Sequence, residues 1–166
     1  MADHFALSEH FVLSGLVGQK LLAHKWTVAT AESCTGGGVA AAITSIAGSS
    51  AWFETGIVSY ANSAKEKLLH VNAQTLAEHG AVSETVVAEM VKGVLALSNA
   101  NIAVAVSGIA GPTGGTIEKP VGTVCFGWAL ATGEIDTKTI YFSGDRNGIQ
   151  RQAVEAALKG LLDFLD

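Results

Sequence analysis

Two cysteines, Cys34 and Cys125, are all that the 166 residues contain, which excludes a disulfide framework. The five histidines, His4, His10, His24, His70 and His79, form no pair at ligand spacing, and neither CxxC nor HExxH occurs. No metal site is expected, and no organic cofactor. His24, His70 and His79 instead fall near predicted helix C-termini, where the helix macrodipole favours a cation. Basic charge is scarce: 10 Lys and Arg stand against 15 Asp and Glu, for a net charge of −5. A nucleic-acid partner, which calls for a basic face, is not expected. No apolar run is long enough to cross a bilayer, so no membrane partner is expected either. Met1-Ala-Asp-His-Phe5 carries an acid and leads into no long apolar run, unlike a signal peptide. A soluble, cytoplasmic protein is the expectation.

What is present is a compact globular composition, 49% hydrophobic and 15% charged. The length suits one domain, 1–166, that buries roughly 70% of its unfolded surface. Three tryptophans and the high apolar fraction fit a subunit interface as well as a large core, and a homo-oligomer is expected. Periodicity places a helix at about 8–24 with Ser8 as its N-cap, a strand at 26–32 and an Ala-rich helix at 36–47. A loop or short helix at 48–53 and a strand at 56–60 follow. Ser63-Ala-Lys-Glu66 has the capping-box pattern of a helix start. Asn72 starts a further helix that ends at Gly80, and Ser83 caps one over 84–98. Residues 101–107 read as a buried strand, 108–120 as a glycine-rich loop, 122–131 and 134–142 as an antiparallel hairpin. A last helix starts after Asp145. Helices alternating with strands predict a single three-layer α/β/α domain with a mixed, mostly parallel sheet.

In such folds sites gather at the carboxyl ends of strands, and the segment Ala31-Glu-Ser-Cys-Thr-Gly-Gly-Gly38 falls at such an end. It carries three nucleophile types, Ser33, Cys34 and Thr35, before a helix start whose N–H groups favour an anion or oxyanion. Ser and Thr are also ordinary N-caps, and glycine runs ordinary turns. A serine nucleophile needs a base. No histidine is placed for it, and Lys65, in the first turn of a helix, is the best candidate, since the positive helix end and partial burial both lower its pKa. A solvated helix lysine is the alternative. Cys34 is a second candidate nucleophile if a helix N-terminus lowers its pKa, or a small buried hydrophobe if not. Thr35 fits a cap or an oxyanion contact, and Glu32 a hydrogen-bond partner or a holder of a substrate hydroxyl.

The second glycine loop, Ser107 to Gly115, lacks the Gly-Lys-Ser/Thr of a P-loop, but its N–H groups suit an anion or a ring. Arg146 and Arg151 are the only arginines. They lie about 140° apart on a helix, and Arg146, near a helix N-terminus, suits either a phosphate contact or a salt bridge. Gly36-Gly-Gly38 with Ala41 also matches G-x-G-x-x-A, with Glu54 about twenty positions on. A dinucleotide site is the weaker reading, because Glu54 precedes the next predicted strand instead of following it.

Taken in order, Ala31-Glu-Ser-Cys-Thr-Gly-Gly37, Gly48-Ser-Ser-Ala-Trp-Phe53, Tyr60-Ala-Asn-Ser-Ala-Lys65, Gly80-Ala-Val-Ser83, Val106-Ser-Gly-Ile-Ala-Gly-Pro112, Lys119-Pro-Val-Gly-Thr-Val124 and Ser143-Gly-Asp-Arg146 resemble the CinA C-terminal domain family in its stand-alone form. The resemblance spans nearly the whole chain. It implies an amidohydrolase that converts nicotinamide mononucleotide to nicotinate mononucleotide and ammonia, with Ser33 as nucleophile and Lys65 as base. It implies that Tyr60 and Asn62 support the pair or the substrate. In the resulting scheme, backbone near Thr35, Gly36 and Gly37 binds the oxyanion, with Glu32 beside it. Gly108, Ile109, Ala110 and Gly111 line the nucleotide pocket, and Arg146 meets the phosphate. A nucleotide-binding module without turnover is the alternative.

Overall fold

The structure, a computed structural model, describes residues 2–166, with side chains from Glu9 onward. Six helices surround one five-stranded sheet among these residues. In chain order they are α1 (Ala2–His24), β1 (Val28–Glu32), α2 (Gly38–Thr44), β2 (Phe53–Val58), α3 (Asn62–Leu69), α4 (Ala73–His79), α5 (Glu84–Leu97), β3 (Ile102–Gly108), β4 (Thr123–Leu130), β5 (Ile135–Tyr141) and α6 (Arg146–Leu165). A single 3-10 turn, Ser49–Ala51, precedes β2. The Ser8 cap falls outside the residues whose side chains are described, and α1 already runs from Ala2.

The sheet order is β2-β1-β3-β4-β5. β1 pairs in parallel with β2 and β3, whereas β3, β4 and β5 pair antiparallel. It is a mixed sheet with a parallel half and a meander half. This topology delivers four connections to one edge: those leaving β1, β2, β3 and β5. The register Gly108↔Val124 and Thr123↔Tyr141 puts the end of β3, the start of β4 and the end of β5 side by side there.

Residue size sets the two layers. On one face Val28, Val104, Val106, Phe126 and Trp128 pack with Val17, Ile43, Ile149 and Leu158 of α1, α2 and α6. On the other, Ala29, Ala31, Ala103 and Ala105 meet Val87, Met90 and Val91 of α5. The small alanines let α5 settle close to the sheet, with α3 stacked beside it. On the large-residue face the contact is closest at Gly160. A Cβ there would stand 2.1 Å from Trp128, so only glycine fits.

Local signals explain three helix starts. Asn72 accepts from the Gln74 N–H, Ser83 from Val86 and Asp145 from Gly148, as their residue types favour. Three expectations are corrected. The capping box at Ser63 is not made: α3 starts one residue earlier, its N-cap is Ala61 without a side-chain bond, and Ser63 is exposed in the first turn. β2 begins at Phe53, ahead of the expected residue 56. The Ala-rich helix is shorter than 36–47, because Gly36 and Gly37 adopt φ of 59° and 98°, a left-handed geometry that ends the strand in a tight turn before α2 can start.

Candidate active site

Glu32 closes β1 and points toward α2. Its Oε1 accepts from the Thr35 hydroxyl at 2.6 Å and the Val39 N–H at 2.8 Å, and Oε2 accepts from the Ala40 N–H at 3.0 Å. The carboxylate thus caps α2 from within the fold, 1% exposed. This corrects the picture of a free helix start. The N–H groups of Val39 and Ala40 are occupied by the protein's own anion, and that of Gly36 closes the turn on the Ser33 carbonyl at 3.0 Å. The N–H groups of Thr35 and Gly37 remain without a protein acceptor among the described residues. With the Val39 and Ala40 N–H groups taken by Glu32, the dinucleotide reading loses its pyrophosphate site, and Glu54 lies at the start of β2, the far end of that strand from the glycines.

Ser33 follows Glu32 on an alternating backbone, so its side chain turns to the other face, toward α3. Lys65, within the first turns of α3, reaches back to meet it. Its Nζ is 3.1 Å from Ser33 Oγ, 2.9 Å from the Ser59 carbonyl and 3.1 Å from the Tyr60 carbonyl. Lys65 is 1% exposed and has no carboxylate partner among the described residues. Burial pushes its ammonium below the ordinary value of 10.5. Two carbonyls hold two of the amine's hydrogens, and the remaining tetrahedral direction faces the serine hydroxyl. In the neutral state that direction is a lone pair, the geometry a general base requires.

Cys34 does not compete. It is buried among apolar side chains, and desolvation pushes its thiol up to about 12; backbone hydrogen bonding offsets part of this, the charge of Glu32 adds to it, and Lys65 and Arg146 lower it less. It sits four residues ahead of α2, not at that helix's N-terminus, so the expected activation is absent. It is a core residue whose carbonyl takes a hydrogen bond from Gln150 of α6 at 2.9 Å.

The remaining expected residues are distributed along the same edge. Ile109 is committed to the sheet, with its N–H on the Thr123 carbonyl and its own carbonyl taking the Gly122 N–H. Gly108 ends β3 against Val124, and Ala110 and Gly111 are buried just beyond. Arg146, first residue of α6, donates from Nη1 to the Gly111 carbonyl at 2.7 Å and from Nη2 to the Tyr60 hydroxyl at 2.9 Å. The segments after β2, β3 and β5 are thereby tied together. A cavity of about 360 Å³ opens beside Arg146, lined by Ala110, Pro112 and Asn147 among others. Another of about 350 Å³ opens beside Thr35 and shares Asn147. Asn62 is exposed at the start of α3, and no hydrogen bond brings it to the dyad. Arg151, five residues after Arg146, lines the cavity beside Thr35.

Three residues escaped the sequence reading. The register Glu32↔Val58 and Glu32↔Val106, continued by Ser59 N–H to Glu32 O and Ser33 N–H to Val106 O, makes Ser59 and Ser107 the lateral neighbours of Ser33. All three serines are buried, and Ser107 donates to the Ala81 carbonyl at 2.8 Å. The signal was there: a serine stands within one residue of the end of each of the three strands. Gln150 carried none, since 116 residues separate it from Cys34.

The comparisons agree with this architecture. The family described as the CinA C-terminal domain matches residues 11–165. The nicotinamide-nucleotide amidohydrolase PncC of Escherichia coli (strain K12) is 58% identical over 154 residues, 93% of each chain. The crystal structure of the competence damage-inducible protein A (ComA) from Klebsiella pneumoniae superposes with a TM-score of 0.91 at 46% identity, covering 94% of this chain and 96% of that one. The competence/damage inducible protein CihA from Agrobacterium tumefaciens does so with a TM-score of 0.93 at 40% identity, covering 95% and 96%. With the match running from the middle of α1 to the end of α6, the chain belongs to the CinA C-terminal domain family.

Proposed function

We propose that this chain is a nicotinamide-nucleotide amidohydrolase, deamidating nicotinamide mononucleotide to nicotinate mononucleotide and ammonia through a Ser33 nucleophile and a Lys65 base. The observation that carries the proposal is the buried contact of Lys65 Nζ with Ser33 Oγ at 3.1 Å. The 58% identity to a relative named for that activity supports the substrate.

Neutral Lys65 takes the Ser33 proton as Oγ attacks the carboxamide carbon. The Thr35 N–H stabilises the oxyanion of the tetrahedral intermediate, a donor worth about 3 kcal/mol in comparable sites. Lys65 returns the proton to the leaving nitrogen, the C–N bond breaks and ammonia departs. Water, deprotonated by Lys65, then opens the acyl ester to release the carboxylate and restore Ser33. Glu32 holds the turn in shape; with its oxygens committed to Thr35, Val39 and Ala40 it acts through Thr35 and not on substrate. Arg146 meets the phosphate.

Ammonia release from nicotinamide mononucleotide, compared between wild type, Ser33→Ala and Lys65→Ala, tests the proposal. Loss in both variants with folding intact supports it. A wild type that binds the nucleotide without releasing ammonia is a non-catalytic module instead.

A further inference from the structure

Tyr60 touches two parts of the site at once. Its hydroxyl accepts from Arg146 Nη2 at 2.9 Å, and its carbonyl accepts from Lys65 Nζ at 3.1 Å. It lies in the short link between β2 and α3, whose backbone is pinned on either side. The Ser59 N–H is held by the Glu32 carbonyl at 2.8 Å, and the Ala64 and Lys65 N–H groups by the Ala61 carbonyl at 3.1 Å each. Between these points the side chain of Tyr60 is 58% exposed, with Arg146 as its hydrogen-bond partner.

Arg146 is held by neutral acceptors only, the phenol of Tyr60 and the carbonyl of Gly111, and makes no ion pair among the described residues. A guanidinium fork binds two anionic oxygens more strongly than it binds a phenol and a carbonyl. The cavity of about 360 Å³ at its side leaves room for such a group. Asp145 also lines that cavity and opposes an anion, but its Oδ1 is engaged by the Gly148 N–H at 2.8 Å.

Resting on the amidohydrolase reading, we propose that the substrate's phosphate activates the enzyme as well as anchoring the substrate: by taking the Arg146 fork it releases Tyr60, the positioning residue that passes this release to Lys65. While the latch is closed, the Tyr60 carbonyl is one of the acceptors that favour the ammonium form of Lys65. A released Tyr60 weakens that hydrogen bond without breaking it, because the backbone on either side stays held: the ammonium form loses more than the neutral amine, and both carbonyls still aim the lone pair at Ser33. Binding energy from a part of the substrate that does not react is thereby spent at the reacting centre.

The test uses nicotinamide riboside, which keeps the carboxamide and ribose and lacks the phosphate, with inorganic phosphite supplied separately. Phosphite is expected to raise the wild-type kcat for the riboside by roughly ten- to a hundredfold, the range of coupled sites. Tyr60→Phe, without the hydroxyl, is expected to show a much smaller phosphite activation. A wild-type rate indifferent to phosphite, or an equal activation in Tyr60→Phe, overturns the proposal. A second readout does not need turnover. The ring resonance of Tyr60, distinguished from that of Tyr141, the one other tyrosine, by the Tyr60→Phe spectrum, should move when phosphite is added and stay fixed in Arg146→Gln. If the wild type releases no ammonia from nicotinamide mononucleotide while that signal moves, the amidohydrolase reading falls and the latch stands. Ammonia release with a Tyr60 signal and a riboside rate both blind to phosphite overturns the latch alone.

Discussion

The amine of Lys65 stands 3.1 Å from the hydroxyl of Ser33 although 32 residues separate them, and solvent reaches 1% of the lysine and 8% of the serine. An uncompensated ammonium is costly in such a place, and the group relieves that cost by shedding its proton more readily than an exposed lysine. The first prediction concerns this pair. Lys65→Ala is expected to lower kcat for nicotinamide mononucleotide by roughly 10²–10⁴-fold, the range of a lost general base. Lys65→Arg should fare no better, because a guanidinium stays protonated. Steady-state ammonia release decides it, and a Lys65→Arg enzyme of wild-type speed would refute the role.

The same shift has a stability consequence. Lys65 has a folded-state pKa below its unfolded value of 10.5. Below both values each state is protonated, and the folded state bears the full cost of burying the charge. Between the lowered value and 10.5 the unfolded chain binds more protons, so stability rises with pH across that window. The wild type is expected to gain in urea midpoint, relative to Lys65→Met, as pH rises toward 10.5. Parallel midpoints for the two proteins would contradict the shift.

Cys34, with its thiol pushed up to about 12, is neutral at any physiological pH. In the native protein it should resist alkylation by iodoacetamide at about pH 8, reacting only once the chain is unfolded. Cys34→Ala should keep its catalytic rate while losing about 1 kcal/mol of stability from lost packing. Mass spectrometry of the alkylated protein, alongside the ammonia assay, checks both.

Glu32 satisfies three donors that have nowhere else to turn. Glu32→Ala is expected to cost roughly 2–4 kcal/mol in urea unfolding, since each orphaned buried donor costs about 1–3 kcal/mol. A loss below about 1 kcal/mol would show that water replaces the carboxylate.

Two glycines separate backbone cost from packing. Gly15 lies inside α1, and a Cβ at that position would meet nothing within 4 Å, so Gly15→Ala should stabilise by about 0.5–1 kcal/mol. Gly160→Ala places a Cβ 2.1 Å from Trp128 and should destabilise by about 1–3 kcal/mol. Thermal unfolding of the two variants should therefore shift in opposite directions.

Much of this protein was legible along the chain. The caps at Asn72, Ser83 and Asp145 announce helix starts because each satisfies a local N–H within three residues. The strand Ile102–Gly108 is legible because five consecutive fully buried residues need an unbroken apolar run. The Ser63 box misled because a matching pattern does not require its hydrogen bonds to form: the chain enters α3 at Ala61, and Lys65 is turned inward. Cys34 was ambiguous for a different reason. Its reactivity depends on what surrounds the sulfur, and those neighbours come from β1, α3 and α6.

Residue order alone was enough for most segments and for their chemical repertoire: which runs fold as strands or helices, though not every boundary, and which side chains carry a hydroxyl, an amine or a cation near the strand ends. Those properties depend on residues within a few positions of each other. It took the folded chain to make Lys65 dry and aim it at Ser33, to fill with Glu32 the helix end an anion would otherwise take, and to tie Arg146 to Tyr60 and Gly111. These depend on strand order and on distances between segments up to 86 residues apart. The desolvation and hydrogen bonding that set their chemistry exist only once the sheet has brought its edges together.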